Sequence, residues 1–170
     1  RESDLQEAVG ACKYNGCKNK AYRKTLVATI PEHEIYTLIA QYLQISYPGV
    51  LYRFDLAADM KLTPGQARKH KELHPRRGWP DMFIAEPKVG KDREGRVIGM
   101  NYYGLFLELK REGTTIYKKS DGQLVKDKHI REQAEVLSEL SKRGYMAEFA
   151  CGFDEAKRII DDYLRGGNNE

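Results

Sequence analysis

Apolar residues recur at helical spacing after Pro31: Ile35, Leu38, Ile39, Tyr42 and Leu43 share one face until Tyr47-Pro48-Gly49 stops the run. This spacing predicts a helix. Residues 50–54 are rich in β-forming side chains and read as a strand, followed by a polar connection in which residues 66–73 suit a short helix. Residues 82–85 form a second short apolar run ended by Pro87, and residues 88–99, with Gly90, Gly95 and alternating charges, read as a long exposed hairpin connection. Residues 102–110 return as the next strand. The polar stretch 111–127, holding Gly113 and Asp121-Gly122, reads as a loop able to move over a site.

Beyond it, Ile130, Gln133, Ala134, Leu137, Leu140 and Ser141 trace a second helix, with a left-handed cap expected at Gly144. Residues 145–151 then form a strand and residues 153–164 a helix that Gly166-Gly167 terminates. The order helix, strand, strand, strand, helix, strand, helix fits an α/β fold, a mixed central β-sheet flanked by helices. The strand after the crossover helix is expected to run parallel to one before it. Near the start, Leu5 and Val9 suit a short helix, and the segment through Asn19 reads as an arm or loop.

At 170 residues the chain suits one core, so residues 1–24 are read as a basic N-terminal arm and 25–170 as one domain. No apolar run approaches the roughly 20 residues that span a bilayer, and no signal-peptide core is visible, so an intracellular, cytoplasmic protein is expected. Three cysteines without a secretion signal argue against a disulfide framework. Cys12 and Cys17 lack a second ligand pair for zinc.

The net charge of +4 matters less than where the cations fall. From Ala8 to Pro31 there is no acid, while Lys13, Lys18, Lys20, Arg23 and Lys24 are interleaved with Tyr14 and Tyr22. A second basic stretch includes Lys61, Arg68, Lys69, Lys71, Arg76 and Arg77 and ends just before a Pro-Asp pair. Such stretches suit phosphate backbones, through counterion release and base stacking. Either one alone is also an ordinary solvated face.

The chemistry concentrates in Gly78-Trp79-Pro80-Asp81 and in Leu105-Phe106-Leu107-Glu108-Leu109-Lys110. Alternation along the second run sends Leu105, Leu107 and Leu109 to one face and Phe106, Glu108 and Lys110 to the other. A hard cation needs carboxylate oxygens and few protein ligands, which Asp81 and Glu108 on neighbouring strands could supply. Lys110 could then handle the attacking water. Gln133 lies on the inward stripe of its helix, where an amide needs a polar partner. Alone, Glu108 and Lys110 also fit an exposed pair on an amphipathic strand, and Asp81 a turn. No Walker loop, dinucleotide fingerprint or Ser-His-Asp order is present, so no nucleotide cofactor is expected.

Glu34 in the first helix, Gly78-Trp79-Pro80-Asp81, Phe106-Leu107-Glu108-Leu109-Lys110-Arg111 and Gln133, in this element order, resemble the core of the PD-(D/E)XK nuclease superfamily, and within it the VRR-NUC family. The resemblance runs from Pro31 to Leu164 and implies a restriction-endonuclease-like αβββαβ core. It implies that Asp81, Glu108 and the backbone carbonyl of Leu109 bind Mg²⁺ or Mn²⁺, with Glu34 completing the acidic cluster, Lys110 positioning the water and Gln133 in support. It further implies a metal-dependent DNA endonuclease. Small stand-alone members, many from phages, suggest a homodimer that cuts branched DNA such as Holliday junctions. Lys69, Lys71, Arg76, Arg77 and Arg111 would contact DNA beside the site, as would Lys20, Arg23 and Lys24 from the arm. The alternatives are the same nuclease acting on flaps or single strands, and a basic DNA-binding module that cuts nothing. The arm has no counterpart in the resembled motif.

Overall fold

The computed structural model describes residues 30–55, 62–74 and 76–165. The expected arm, with Lys20, Arg23 and Lys24, lies outside them, as do Cys12, Cys17, Lys61 and Gly166-Gly167. Helix α1 spans Glu32–Ser46 and buries Ile35, Tyr36, Ile39 and Leu43, the stripe its apolar spacing demands. The Pro31 carbonyl accepts the N–H groups of Glu34 and Ile35, so the proline opens the helix without a side-chain cap. Strand β1 (Tyr52–Phe54) follows, and helix α2 (Pro64–Leu73) starts at a capping box in which Thr63 and Gln66 satisfy each other's backbone.

Strands β2 (Met82–Ile84), β5 (Leu105–Lys110) and β6 (Met146–Cys151) complete a four-stranded sheet in the order β1-β2-β5-β6. The β1-β2 and β2-β5 pairs are antiparallel, whereas β5 and β6 run parallel across helix α3 (Lys128–Lys142), as a crossover connection requires. Helix α4 spans Phe153–Arg165. One sheet face, with Met82, Ile84, Leu105, Leu107, Leu109 and Ala150, packs on α1 and α4. The other, with Phe83, Phe106 and Ala147, packs on Val136 and Leu140 of α3. Because β5 is covered on both sides, all its residues but Lys110 are buried. Each fully buried Ile or Leu in these layers contributes about 1.5–3 kcal/mol.

Two expectations change. Residues 88–99 are not merely a connection: they hold β3 (Lys88–Lys91) and the first half of β4 (Val97–Tyr102), an antiparallel ribbon with its own pairing. The return strand is also broken at Tyr103-Gly104, between β4 and β5. A Cβ on Gly104 would lie 2.7 Å from the Phe83 ring and 2.8 Å from the Ile84 carbonyl, so only glycine lets the chain pass this close. The stretch 111–127 is partly ordered by pairing: Tyr117 bridges to Leu124, and Ile116 is buried. Gly144 caps α3 at φ +87°, the left-handed conformation its sequence position predicts.

Candidate active site

The register Met82↔Leu107, extended by one residue, puts Asp81 beside the Glu108-Leu109 step of β5. The Leu109 N–H donates to Asp81 Oδ2 at 2.8 Å, and on the other side the Asp55 N–H donates to the Asp81 carbonyl at 2.8 Å. Within a strand the N–H and C=O of one residue face the same edge, so the Leu109 carbonyl is directed toward the Asp81 side. Gly78 sets the approach of the Trp-Pro-Asp segment. At φ +78° its Cα sits so close to α3 that a Cβ would come within 2.8 Å of the backbone of Glu132 and Gln133.

Glu108 is 1% exposed, facing α3 as its alternation with the leucines requires. Its Oε1 accepts from Lys110 Nζ at 2.5 Å and from Gln133 Nε2, while its Oε2 is buried without a partner. Gln133, 4% exposed, also meets His129 Nε2 at 3.1 Å, and its own Oε1 is buried and unpartnered. Thus the structure brings together Asp81, Glu108, Lys110 and Gln133 of the expected set.

Glu34 is the exception. It sits on the exposed side of α1, whereas Glu32 places Oε1 3.8 Å from Lys110 Nζ. Positions two apart on a helix lie on nearly opposite sides, so only one of these acids can face the sheet. Glu32 is the one in phase with Tyr36, Ile39 and Leu43, a signal already present in the apolar stripe. Among the basic residues, Lys69, Lys71, Arg77 and Arg111 are exposed. Arg76 is exposed too, but both its terminal nitrogens are held by Glu139, at 2.6 and 2.8 Å.

Burial and crowding set the electrostatics. Glu108 is pushed up to about 8, first by burial and then by the Asp81 charge, against the pull of Lys110. Asp81 is raised by burial, against the Leu109 N–H, Lys110 and the Tyr36 hydroxyl, which favour its charged form. Burial alone would lower Lys110, but Glu108, Asp81 and Glu32 outweigh it and raise the ammonium above its ordinary value. Lys110 is therefore a cation at neutral pH, suited to orienting a water or a phosphoryl oxygen rather than to removing a proton.

The donor set fits Mg²⁺ or Mn²⁺. Among the described residues no three of His, Cys, Asp and Glu cluster for a metal, as a structural zinc site would need. Mg²⁺ instead takes one or two carboxylates and fills its shell with water and substrate phosphate. A buried carboxylate oxygen that meets no donor, beside a second carboxylate, is the feature such an ion would satisfy.

No family model matches the chain, and no curated protein does. A solved structure described as a "VRR_NUC domain protein" is similar with a TM-score of 0.52 and 20% identity, over 85% of this chain and 96% of that one. With its mixed sheet and flanking helices, the chain has a VRR-NUC-like fold.

Proposed function

We propose that this chain is a metal-dependent DNA endonuclease that hydrolyses phosphodiester bonds at the Asp81–Glu108–Lys110 site. The observation that carries this reading is the buried carboxyl of Glu108, whose Oε1 is held by the Lys110 ammonium while Oε2 meets no donor, with the Asp81 charge beside it. Asp81, Glu108 and the Leu109 carbonyl would hold Mg²⁺ or Mn²⁺, which when bound supplies an acidified water and positive charge against the phosphoryl oxygens. Lys110, fixed by Glu108 and with Glu32 beside it, orients the attacking water and offsets charge developing on the phosphate. Gln133 holds Glu108 from behind through its amide. Lys69, Lys71, Arg77 and Arg111 draw the backbone toward this end of the sheet.

We assign branched DNA as the preferred substrate and a homodimer as the acting form, since two symmetry-related sites match the paired strands of a junction. The decisive experiment compares cleavage of a four-way junction, a flap, a single strand and linear duplex, each with Mg²⁺, Mn²⁺ or EDTA. Cleavage lost in Asp81→Asn and Lys110→Ala is expected; full activity in either would overturn the assignment. A second reading, a basic DNA-binding module that cuts nothing, draws on the small number of acids at the site. It requires salt-sensitive DNA binding indifferent to divalent ions. Calorimetric metal titration of the wild type and of Glu108→Gln separates the two.

A further inference from the structure

Beside Asp81 lies a hollow of about 540 Å³ that the proposed chemistry does not use. Its floor is aromatic: Phe83 stacks on Phe106 at 4.4 Å between centroids, and Trp79 meets Phe106 edge-on at 5.9 Å. Leu73 and His74, at the end of α2, form one wall, and Arg53 stands among the polar lining groups. Trp79 is 50% exposed and Leu73 65%, an expense of apolar surface to water that the packing of α3 on the sheet does not demand. Asp81 itself lines the hollow, so hollow and candidate catalytic carboxylate are continuous.

A phosphate drawn to the Lys110 ammonium beside Asp81 and Glu108 brings the adjoining nucleotide to this opening. The volume falls within the roughly 300–1,000 Å³ of small-ligand pockets, and its mix of aromatic floor and flanking arginine matches a base joined to a charged backbone. A base stacked and paired inside duplex DNA cannot enter without being extruded, which is least costly where it is already unpaired. We infer that this hollow receives one unpaired nucleobase next to the scissile phosphate, stacked against Trp79. The inference rests on the nuclease reading and gives that site a source of structure selectivity: flaps carry such a base, a junction supplies one when a pair opens at its crossover, and intact duplex does not.

Trp79 is the chain's single tryptophan, so its emission reports on the hollow directly. The full chain in EDTA, where no cutting occurs, is titrated with labelled single-stranded, flap, junction and fully paired DNA, with emission and DNA anisotropy read together. Saturation with single-stranded or flap DNA is expected to quench the emission, and an abasic nucleotide at the unpaired position to abolish the quench; paired duplex binds with little change. Trp79→Ala should weaken binding of unpaired DNA by about 5- to 100-fold, with duplex affinity nearly unchanged, and Trp79→Phe should recover most of the loss. Unaltered emission at saturation by unpaired DNA, or an equal loss of both affinities in Trp79→Ala, would overturn the inference. Cleavage by the wild type with Mg²⁺ or Mn²⁺ is measured in parallel. Cutting without quenching removes the base pocket and leaves the nuclease, whereas quenching without cutting supports the pocket and removes the nuclease.

Discussion

Replacing Glu108 by Gln should stabilise the metal-free protein at alkaline pH while abolishing its use of metal. In the unfolded chain this carboxyl titrates near its ordinary value of 4.5; in the folded protein it is pushed up to about 8 by burial, with the Asp81 charge adding to it. Between those values the folded state holds a proton the unfolded state has released, so stability falls as pH rises through this window and levels off above it. At about 1.4 kcal/mol per factor of ten, the gap limits the loss to about 5 kcal/mol. Relaxation and water entry should leave roughly 2–4 kcal/mol of it. Asp81, also raised, acts in the same direction. Lys110, raised by its carboxylate neighbours, contributes stability that is lost only above its ordinary range, outside the window.

Glutamine mimics the protonated acid, with an amide to set where Oε2 lacks a partner. Urea unfolding in EDTA should find Glu108→Gln within about 1 kcal/mol of wild type at pH 5 and more stable by roughly 2–4 kcal/mol at pH 8.5. Added Mg²⁺ should restore the wild type at pH 8.5, by about 2.7 kcal/mol at a hundredfold excess over the dissociation constant, and leave the variant unmoved. A stability difference of equal size at both pH values would refute the electrostatic account of this carboxyl.

Three other changes test the geometry. Glu32→Gln should lower the cleavage rate and Glu34→Gln leave it unchanged, because only Glu32 faces Lys110; rates with a junction substrate decide, and the reverse pattern would restore Glu34. Gly78→Ala must adopt φ near +78° and press a methyl on the α3 backbone, so a loss of about 2 kcal/mol, or roughly 4–8 °C in melting temperature, is expected. Calorimetry checks it, and an unchanged melting temperature would mean the contact is not made. Lys69→Ala with Lys71→Ala should weaken all DNA substrates alike and reduce the salt slope of binding by about two; an unchanged slope removes α2 from the DNA interface.

Much of this fold is legible in the chain because its strongest patterns are local. The α1 and α3 stripes, the alternation along β5 and the glycine ending α3 each follow from a repeat or a turn chemistry that one segment carries by itself. The β3-β4 ribbon is less legible, since Gly90, Gly95, Gly99 and alternating charges read as a connection, and only cross-strand pairing reveals two strands. The break before β5 is equally non-local, fixed by the Phe83 ring pressed on Gly104. At the site, Asp81, Glu108, Lys110 and Gln133 stand out by residue type and face. The acid on α1 is less legible, since the motif points to Glu34 whereas helical phase turns Glu32 toward Lys110. The hollow beside Asp81 left no sequence pattern, because it is assembled from β1, the end of α2, the Trp-Pro-Asp segment and two strands.

The position of Glu108 is itself the strongest argument that this site is used. A central strand buried on both faces is the least favourable place in the molecule for an acid, and a leucine or valine there would continue the packing of Phe106 on α3. Lys110 and Gln133 satisfy one oxygen and leave the other bare, so the network is incomplete as a purely structural device. Gly78 adds a second local departure, holding Asp81 in the same few ångströms by a backbone approach that any other residue would prevent. Departures from local preference that converge on one point are expected where chemistry, rather than folding, dictates the residues. A structural salt bridge would not need the neighbouring Asp81, whose charge raises the burden on Glu108; a bound cation would relieve both acids at once.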